Sequence, residues 1–196
     1  MTWLVADYIK YYEGVISDEQ CSEILNCNET VYVPSTYSSN DGKVESEERV
    51  RMDECWVKND SVLWPTILSC YEEVIKRYSA DFPLFSVQRT TDFRINRYTE
   101  GGFMSKHCDN IHHSHGQQYG FPQVTVLLYL NDDYEGGEFY VACKKFQPKK
   151  ASALIFPSNF MFPHEARTVT KGTRWSIITS VSYTHLRAHE TLRYLV

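Results

Sequence analysis

The stretch Arg97–Asp109 reads R-Y-T-E-G-G-F-M-S-K-H-C-D, and the rest of the chain is arranged around it. Its end sets an imidazole, His107, and a carboxylate, Asp109, two residues apart. In extended backbone successive side chains alternate between faces, so residues i and i+2 point the same way. His107 and Asp109 then converge, while Cys108 faces elsewhere and packs. Gly101–Gly102 supplies a turn ahead of this strand. A lone H-x-D arises by chance in many proteins; its weight here comes from the residues C-terminal to it.

A second histidine, His164 in F-P-H-E-A-R, completes a candidate 2-His-1-carboxylate set. That arrangement suits Fe(II) with open coordination positions. The six cysteines (21, 27, 55, 70, 108 and 143) include no C-x-x-C pair. They fit reduced, mostly buried thiols in a cytoplasmic protein better than a disulfide framework or a zinc site. A chain of 196 residues suits one domain with a sizeable core. Its 42% hydrophobic and 14% aromatic content is globular and argues against disorder. The net charge of -5 makes no electrostatic case for nucleic acid. No apolar run approaches the roughly 20 residues of a membrane span, and the N-terminus does not read as a signal peptide.

Val181 to Thr191, V-S-Y-T-H-L-R-A-H-E-T, matches a translated frame of a transposase sequencing adapter. The expected domain is therefore residues 1–180, with 181–196 outside the native fold and His185 and His189 excluded as ligands.

Along the chain, Tyr11 to Ile16 reads as a strand or lead-in, and Ser17-Asp18-Glu19-Gln20 as a capping box opening a helix to about Asn26. Tyr32 to Val50 is rich in Ser, Asn, Asp, Glu and Gly and reads as a solvated loop or a flap over a substrate groove. Arg51 to Val57 is strand-like. A second helix begins at Asp60 or Ser61, with Leu63, Ile67, Tyr71, Val74 and Tyr78 at three- to four-residue spacing and Pro65 in its first turn. Short strands come next at Thr91–Tyr98, Val124–Leu130, Glu138–Ala142, Ser152–Phe156 and Arg174–Ser180, separated by turns. A run of short strands after two helices predicts a mostly β fold, a jelly roll with the N-terminal helices packed on one sheet.

Three ordered segments resemble the signatures of one family: the Arg97–Asp109 stretch, V-T-V-L-L-Y-L-N-D-D-Y-E-G-G-E-F (124–139), and F-P-H-E-A-R-T-V-T-K-G-T-R-W-S (162–176). They are similar to the 2-oxoglutarate- and Fe(II)-dependent oxygenases, in the prolyl 4-hydroxylase catalytic-domain branch. The resemblance covers about Asp92 to Thr179 and implies a double-stranded β-helix, cupin-like. It implies His107, Asp109 and His164 as Fe(II) ligands, and 2-oxoglutarate and O2 as cosubstrates, with ascorbate as a reductant. Arg174 in T-K-G-T-R is implied as the anchor of the cosubstrate's distal carboxylate, which arginine grips with two parallel hydrogen bonds. Lys171 is the competing cation, placed in a turn beside Gly172. Tyr129 is implied to reach the same carboxylate, and Tyr98 to line the cosubstrate pocket; core packing is the alternative for both. No catalytic group is implied beyond the metal centre.

The activity implied is hydroxylation of an unactivated C–H, with a prolyl residue in a peptide or protein as first choice. Other amino-acid side chains or small molecules are the alternative substrates. A non-catalytic metal-binding jelly-roll module is the alternative of another class, and such a module needs no dicarboxylate anchor. Asp109 favours hydroxylation over halogenation, which leaves the carboxylate position to a halide. His112, His113 and His115 read as a polar loop near the substrate entrance or as holders of a second ion.

Overall fold

Both expected helices form, the first where its capping box places it and the second from Trp64 rather than from Asp60 or Ser61. Ser17 Oγ accepts from Gln20 N at 3.1 Å and Gln20 Oε1 accepts from Ser17 N at 2.8 Å, closing the capping box on α1 (Asp18–Leu25). Helix α2 (Trp64–Asp81) starts with Pro65 in its first turn and buries Ile67, Cys70, Tyr71, Val74 and Tyr78. The computed structural model describes residues 4–38, 44–45, 48–86, 89–109 and 122–182.

In chain order the strands are β1 (Lys10–Tyr12), β2 (Val33–Pro34), β3 (Tyr37–Ser38), β4 (Val44–Glu45), β5 (Val50–Arg51), β6 (Asp53–Val57), β7 (Arg89–Thr90), β8 (Phe93–Tyr98) and β9 (Phe103–His107). Then come β10 (Pro122–Tyr129), β11 (Glu135–Gly136), β12 (Phe139–Val141), β13 (Lys144–Phe146), β14 (Ser152–Pro157), β15 (His164–Ala166), β16 (Val169–Lys171) and β17 (Arg174–Ser182). The major sheet runs β1-β14-β10-β17-β8-β6-β2, with β7 also on β17; the minor sheet runs β13-β12-β15-β9-β5. All pairings are antiparallel. The architecture is a double-stranded β-helix with helices on one side.

Side-chain alternation divides the core in two. One face of the major sheet gives Phe93, Ile95, Val126, Leu128, Ile155 and Ile177 to a cluster with the α2 stripe. The other face gives Tyr98, Leu127, Tyr129, Leu154 and Phe156 to a cluster with Val50, Phe139, Val141 and Ala166 of the minor sheet. The second cluster is the barrel interior.

The structure moves several boundaries. Residues 32–50, expected as a loop, hold the short strands β2 to β5, and β2 and β5 tie its two ends to β6 and β9. The expected strand Tyr11–Ile16 is Lys10–Tyr12, paired with β14. Strand β17 continues past the expected limit at Ser180: Val181 pairs with Val124 and Thr90 and is 1% exposed. Residues 183–196, like His112, His113 and His115, lie outside the described residues. Among the described residues no helix is long and apolar enough to cross a membrane.

Candidate active site

The pairing of β9 with β15 sets His107 directly opposite His164. Opposed residues of an antiparallel pair share a face, and the two ring centroids lie 4.3 Å apart. Each Nδ1 lies beside the main-chain carbonyl two residues earlier, Ser105 O at 2.8 Å and Phe162 O at 3.2 Å. A carbonyl only accepts, so in the neutral rings Nδ1 carries the proton and Nε2 keeps its lone pair. Both Nε2 atoms lie 3.4 Å from one atom, Asp109 Oδ1. Strand β9 ends at His107. Asp109 therefore reaches the site from the turn beyond the strand, not by the continued alternation that the H-x-D spacing suggested. The three ligand atoms all lie within 4.8 Å of one another.

Electrostatics couple these groups. Burial opposes a charge on Asp109, yet the neighbouring imidazoles, His164 first, hold its carboxyl well below the usual range. Burial equally opposes an imidazolium at His164, and the Asp109 carboxylate outweighs it and raises that pKa. His164 Nε2 is buried with no hydrogen-bond partner, its approach to Asp109 lacking hydrogen-bond alignment. Two imidazole lone pairs and a carboxylate oxygen turned to one point, with no thiolate, form a donor set for Fe(II). The second oxygen of Asp109 accepts from the Thr125 hydroxyl.

Deeper in the barrel, Arg174 of β17 lies opposite Tyr98 of β8. It is 1% exposed, and its Nε and Nη1 have no partner. Its Cζ lies 4.9 Å from the ring centre of Tyr98, 5.4 Å from Tyr129 and 5.7 Å from Phe139. The hydroxyls of Tyr129 and Tyr134 are buried and unpartnered too. Gly137, at φ +63°, makes this cage possible: a Cβ there would meet Tyr134 Cε2 and Val169 Cγ2 at 3.1 Å and Arg174 Cδ at 3.2 Å. Burial raises the Tyr129 phenol pKa, with Arg174 partly offsetting it.

An unpaired buried cation carries a desolvation penalty of several kcal/mol, on the order given by solvation estimates. Ring faces recover only part of it, about 0.5–2 kcal/mol each. A guanidinium with free donors between two free phenols therefore fits a carboxylate arriving from outside. Phe139 links this cage to the histidines, its ring lying 5.8 Å from that of His164. A dicarboxylate with a keto group, such as 2-oxoglutarate, offers a group of the right kind to each: a carboxylate for the cage and a keto acid for the triad. The competing cation Lys171 is 73% exposed in its side chain and pairs with Glu135 at 2.8 Å, outside the barrel.

The structure thus brings together His107, Asp109 and His164 at one point, and Arg174, Tyr98 and Tyr129 in one cage. Sequence reading missed Tyr134, Thr125 and Ser158. Tyr134 lies in a segment that reads as a turn. Thr125 left a usable signal, because a hydroxyl in a strand buried on both faces must find a partner.

The profile of the 2OG-Fe(II) oxygenase superfamily matches residues 93–181, which hold the triad and the cage. Over that segment this chain is similar to the 2OG-Fe(II) oxygenase superfamily. A protein of Acanthamoeba polyphaga mimivirus assigned as a prolyl 4-hydroxylase is 24% identical over 179 residues, 83% of this chain and 69% of that protein. Human prolyl 3-hydroxylase 2 is 36% identical over 66 residues, 30% of this chain and 9% of that protein. The fold of this chain is shared with a Pseudomonas putida prolyl-4-hydroxylase (TM-score 0.67, 14% identity, 92% of this chain and 97% of that one). It is shared also with the viral collagen prolyl hydroxylase of Paramecium Bursaria Chlorella virus-1 in its 2OG complex (TM-score 0.67, 16% identity, 89% and 95%). A third likeness is to a Trichoplax adhaerens prolyl hydroxylase in complex with a hypoxia inducible factor peptide (TM-score 0.66, 19% identity, 89% and 83%). The triad suits Fe(II) and the cage a dicarboxylate such as 2-oxoglutarate, the metal and cosubstrate that the matched family's name carries.

Proposed function

We propose that this chain is an Fe(II)- and 2-oxoglutarate-dependent oxygenase that hydroxylates a prolyl residue within a peptide or protein. The observation that carries the reading is a donor triad and an unpaired buried cation facing one barrel interior. His107 Nε2, Asp109 Oδ1 and His164 Nε2 hold Fe(II). The metal, once loaded, supplies the oxidative chemistry that couples cosubstrate decarboxylation to oxygen insertion. Arg174 takes the distal carboxylate of 2-oxoglutarate through its guanidinium N–H donors, with the Tyr129 and Tyr134 hydroxyls as further donors. Tyr98 and Phe139 wall the pocket and exclude water, which strengthens the anchoring charges. The backbone carbonyls of Ser105 and Phe162 keep the imidazoles in the tautomer that presents Nε2. Ascorbate serves as the external reductant.

The prolyl choice rests on the mimivirus relative and the peptide-bound Trichoplax fold neighbour. A non-catalytic binding module leaves the Arg174 cage without a purpose. Incubation with Fe(II), 2-oxoglutarate, ascorbate and a peptide library, then mass spectrometry, tests the reading. The expected product carries one added oxygen on proline, with succinate formed alongside. Oxygen on another residue type, or succinate that never responds to any peptide, sinks the prolyl assignment.

A further inference from the structure

The two oxygens of Asp109 have different neighbours. Oδ1 lies 3.4 Å from Nε2 of both His107 and His164. Oδ2 accepts from the hydroxyl of Thr125, whose Oγ1 lies 2.8 Å from Ser158 Oγ. Thr125 and Ser158 are both 0% exposed, so bulk water does not compete for these bonds. Counting protons fixes the direction of the chain. An ionised carboxylate only accepts, and a threonine has one hydroxyl hydrogen. Thr125 therefore donates to Asp109, and the hydrogen between the two hydroxyls belongs to Ser158. Ser158 is itself fixed by its main-chain N–H, which donates to Gln123 O at 2.9 Å. Gln123 lies on β10, two residues before Thr125. One strand thus holds both ends of the relay.

We infer that Thr125 and Ser158 are positioning residues that decide which oxygen of Asp109 the metal receives. The inference rests on the reading that the triad holds the metal. With Oδ2 occupied, Oδ1 is the one oxygen turned toward the imidazoles, and the carboxylate cannot rotate to offer both. A carboxylate free to offer both would take a coordination position that the cosubstrate needs. A hydrogen bond to an ionised group is roughly twice as strong as a neutral one, and the Ser158 donor polarises Thr125 further.

The metal-free protein, titrated with Co(II) as the probe, tests this without turnover. Thr125→Val keeps the shape and removes the hydroxyl, Thr125→Ser restores it, and Ser158→Ala removes only the outer donor. Thr125→Val is expected to weaken Co(II) binding by about 10- to 100-fold, the usual effect of losing an outer-shell partner. It is also expected to change the visible absorption of bound Co(II), because the carboxylate binds differently, and to weaken 2-oxoglutarate binding to the Co(II) protein. Thr125→Ser should return all three toward wild type, and Ser158→Ala should shift them less, in the same direction. A folded Thr125→Val protein with wild-type affinity and spectrum overturns the inference. If that variant does not fold, the same wild-type result from Ser158→Ala overturns it. Failure of the underlying reading looks different: Asp109→Asn itself would then leave Co(II) binding unchanged. If Asp109→Asn abolishes binding while both hydroxyl variants behave as wild type, only the positioning role is lost.

Discussion

The two faces of the major sheet are both dry but differ in what they leave unpaired. Toward the helices, β10 and β17 present Val124, Val126, Leu128, Ile177 and Val181, buried and apolar, together with Thr179, whose hydroxyl is bonded to Thr91. Toward the minor sheet they present Thr125, Tyr129, Arg174 and Ser176 beside Leu127, buried just as deeply. Nine buried side-chain nitrogen or oxygen atoms among the described residues lack a partner, and the only one on the helix side is the Tyr71 hydroxyl. Unpaired buried polar atoms normally cost stability. Their confinement to the barrel side separates a face that stabilises from a face that binds.

Removing a triad ligand should damage the binding face most severely. His164→Ala is expected to lower Co(II) affinity by more than the roughly 100-fold that an outer-shell loss can cause, measured by titration of the metal-free protein. Binding at wild-type strength would falsify the triad.

Arg174→Met comes next, and its two readouts should move in opposite directions. A charge-assisted pair loses about 2–5 kcal/mol when one partner goes, or roughly 30-fold and more in 2-oxoglutarate affinity. Thermal stability without cosubstrate should hold or rise, because an unpaired buried charge is replaced by an apolar side chain. Arg174→Lys should recover part of the affinity, keeping the charge without the fork, and Lys171→Ala should do little. A large effect at Lys171 with a mild one at Arg174 would reassign the anchor.

On the helix-facing side the pattern reverses. Ile177→Ala should cost about 2–5 kcal/mol of stability, seen by denaturant unfolding, with the apparent KM for 2-oxoglutarate nearly unchanged. A steep rise in KM would show that the two faces are not separable.

Acidity sets metal-free against metal-loaded protein. The pKa of His164 is raised in the fold, so its pairing with Asp109 contributes fully below the unfolded value of about 6.5 and is lost as pH rises through the raised value. Asp109, depressed below the carboxylate range, is ionised in both states there and adds no slope. Metal binding needs the neutral ring, so affinity climbs over that same interval. Metal-free protein should thus lose melting temperature while Co(II)-loaded protein gains it. A rising metal-free curve would remove the Asp109–His164 pairing from the account.

The smallest expected effect concerns the end of the chain. Deleting residues 183–196, whose start matches an adapter frame, should leave the melting temperature nearly unchanged. Deleting from Val181 onward should lower it, since that side chain is buried against the helices. A large drop from the shorter deletion would make the tail part of the fold.

Much of the fold and site was legible in the sequence where patterns were long or chemistry was distinctive. The α2 stripe, the continuous apolar run of β10, H-x-D, F-P-H and T-K-G-T-R all carried their own signal. Strands β13, β15 and β16 have three residues each, too few for alternation to show. The spacing of His107 and Asp109 pointed to the right pair for a partly wrong reason, because the strand ends between them. Tyr134, Thr125 and Ser158 acquire roles only through contacts distant in sequence: Tyr134 with Arg174, Thr125 with Asp109, Ser158 with Thr125.

The paired imidazole–carbonyl contacts bear on how such a site can diversify. Each histidine takes its tautomer from the main-chain oxygen two residues earlier in its own segment, Ser105 for His107 and Phe162 for His164. Main-chain oxygens are present whatever side chains surround them. Ring orientation is thus a local property of two short segments and asks nothing of the walls or mouth of the barrel. Substrate-facing side chains can be exchanged freely while Nε2 of both rings stays on target, so one metal centre can be carried from one substrate to another without being rebuilt.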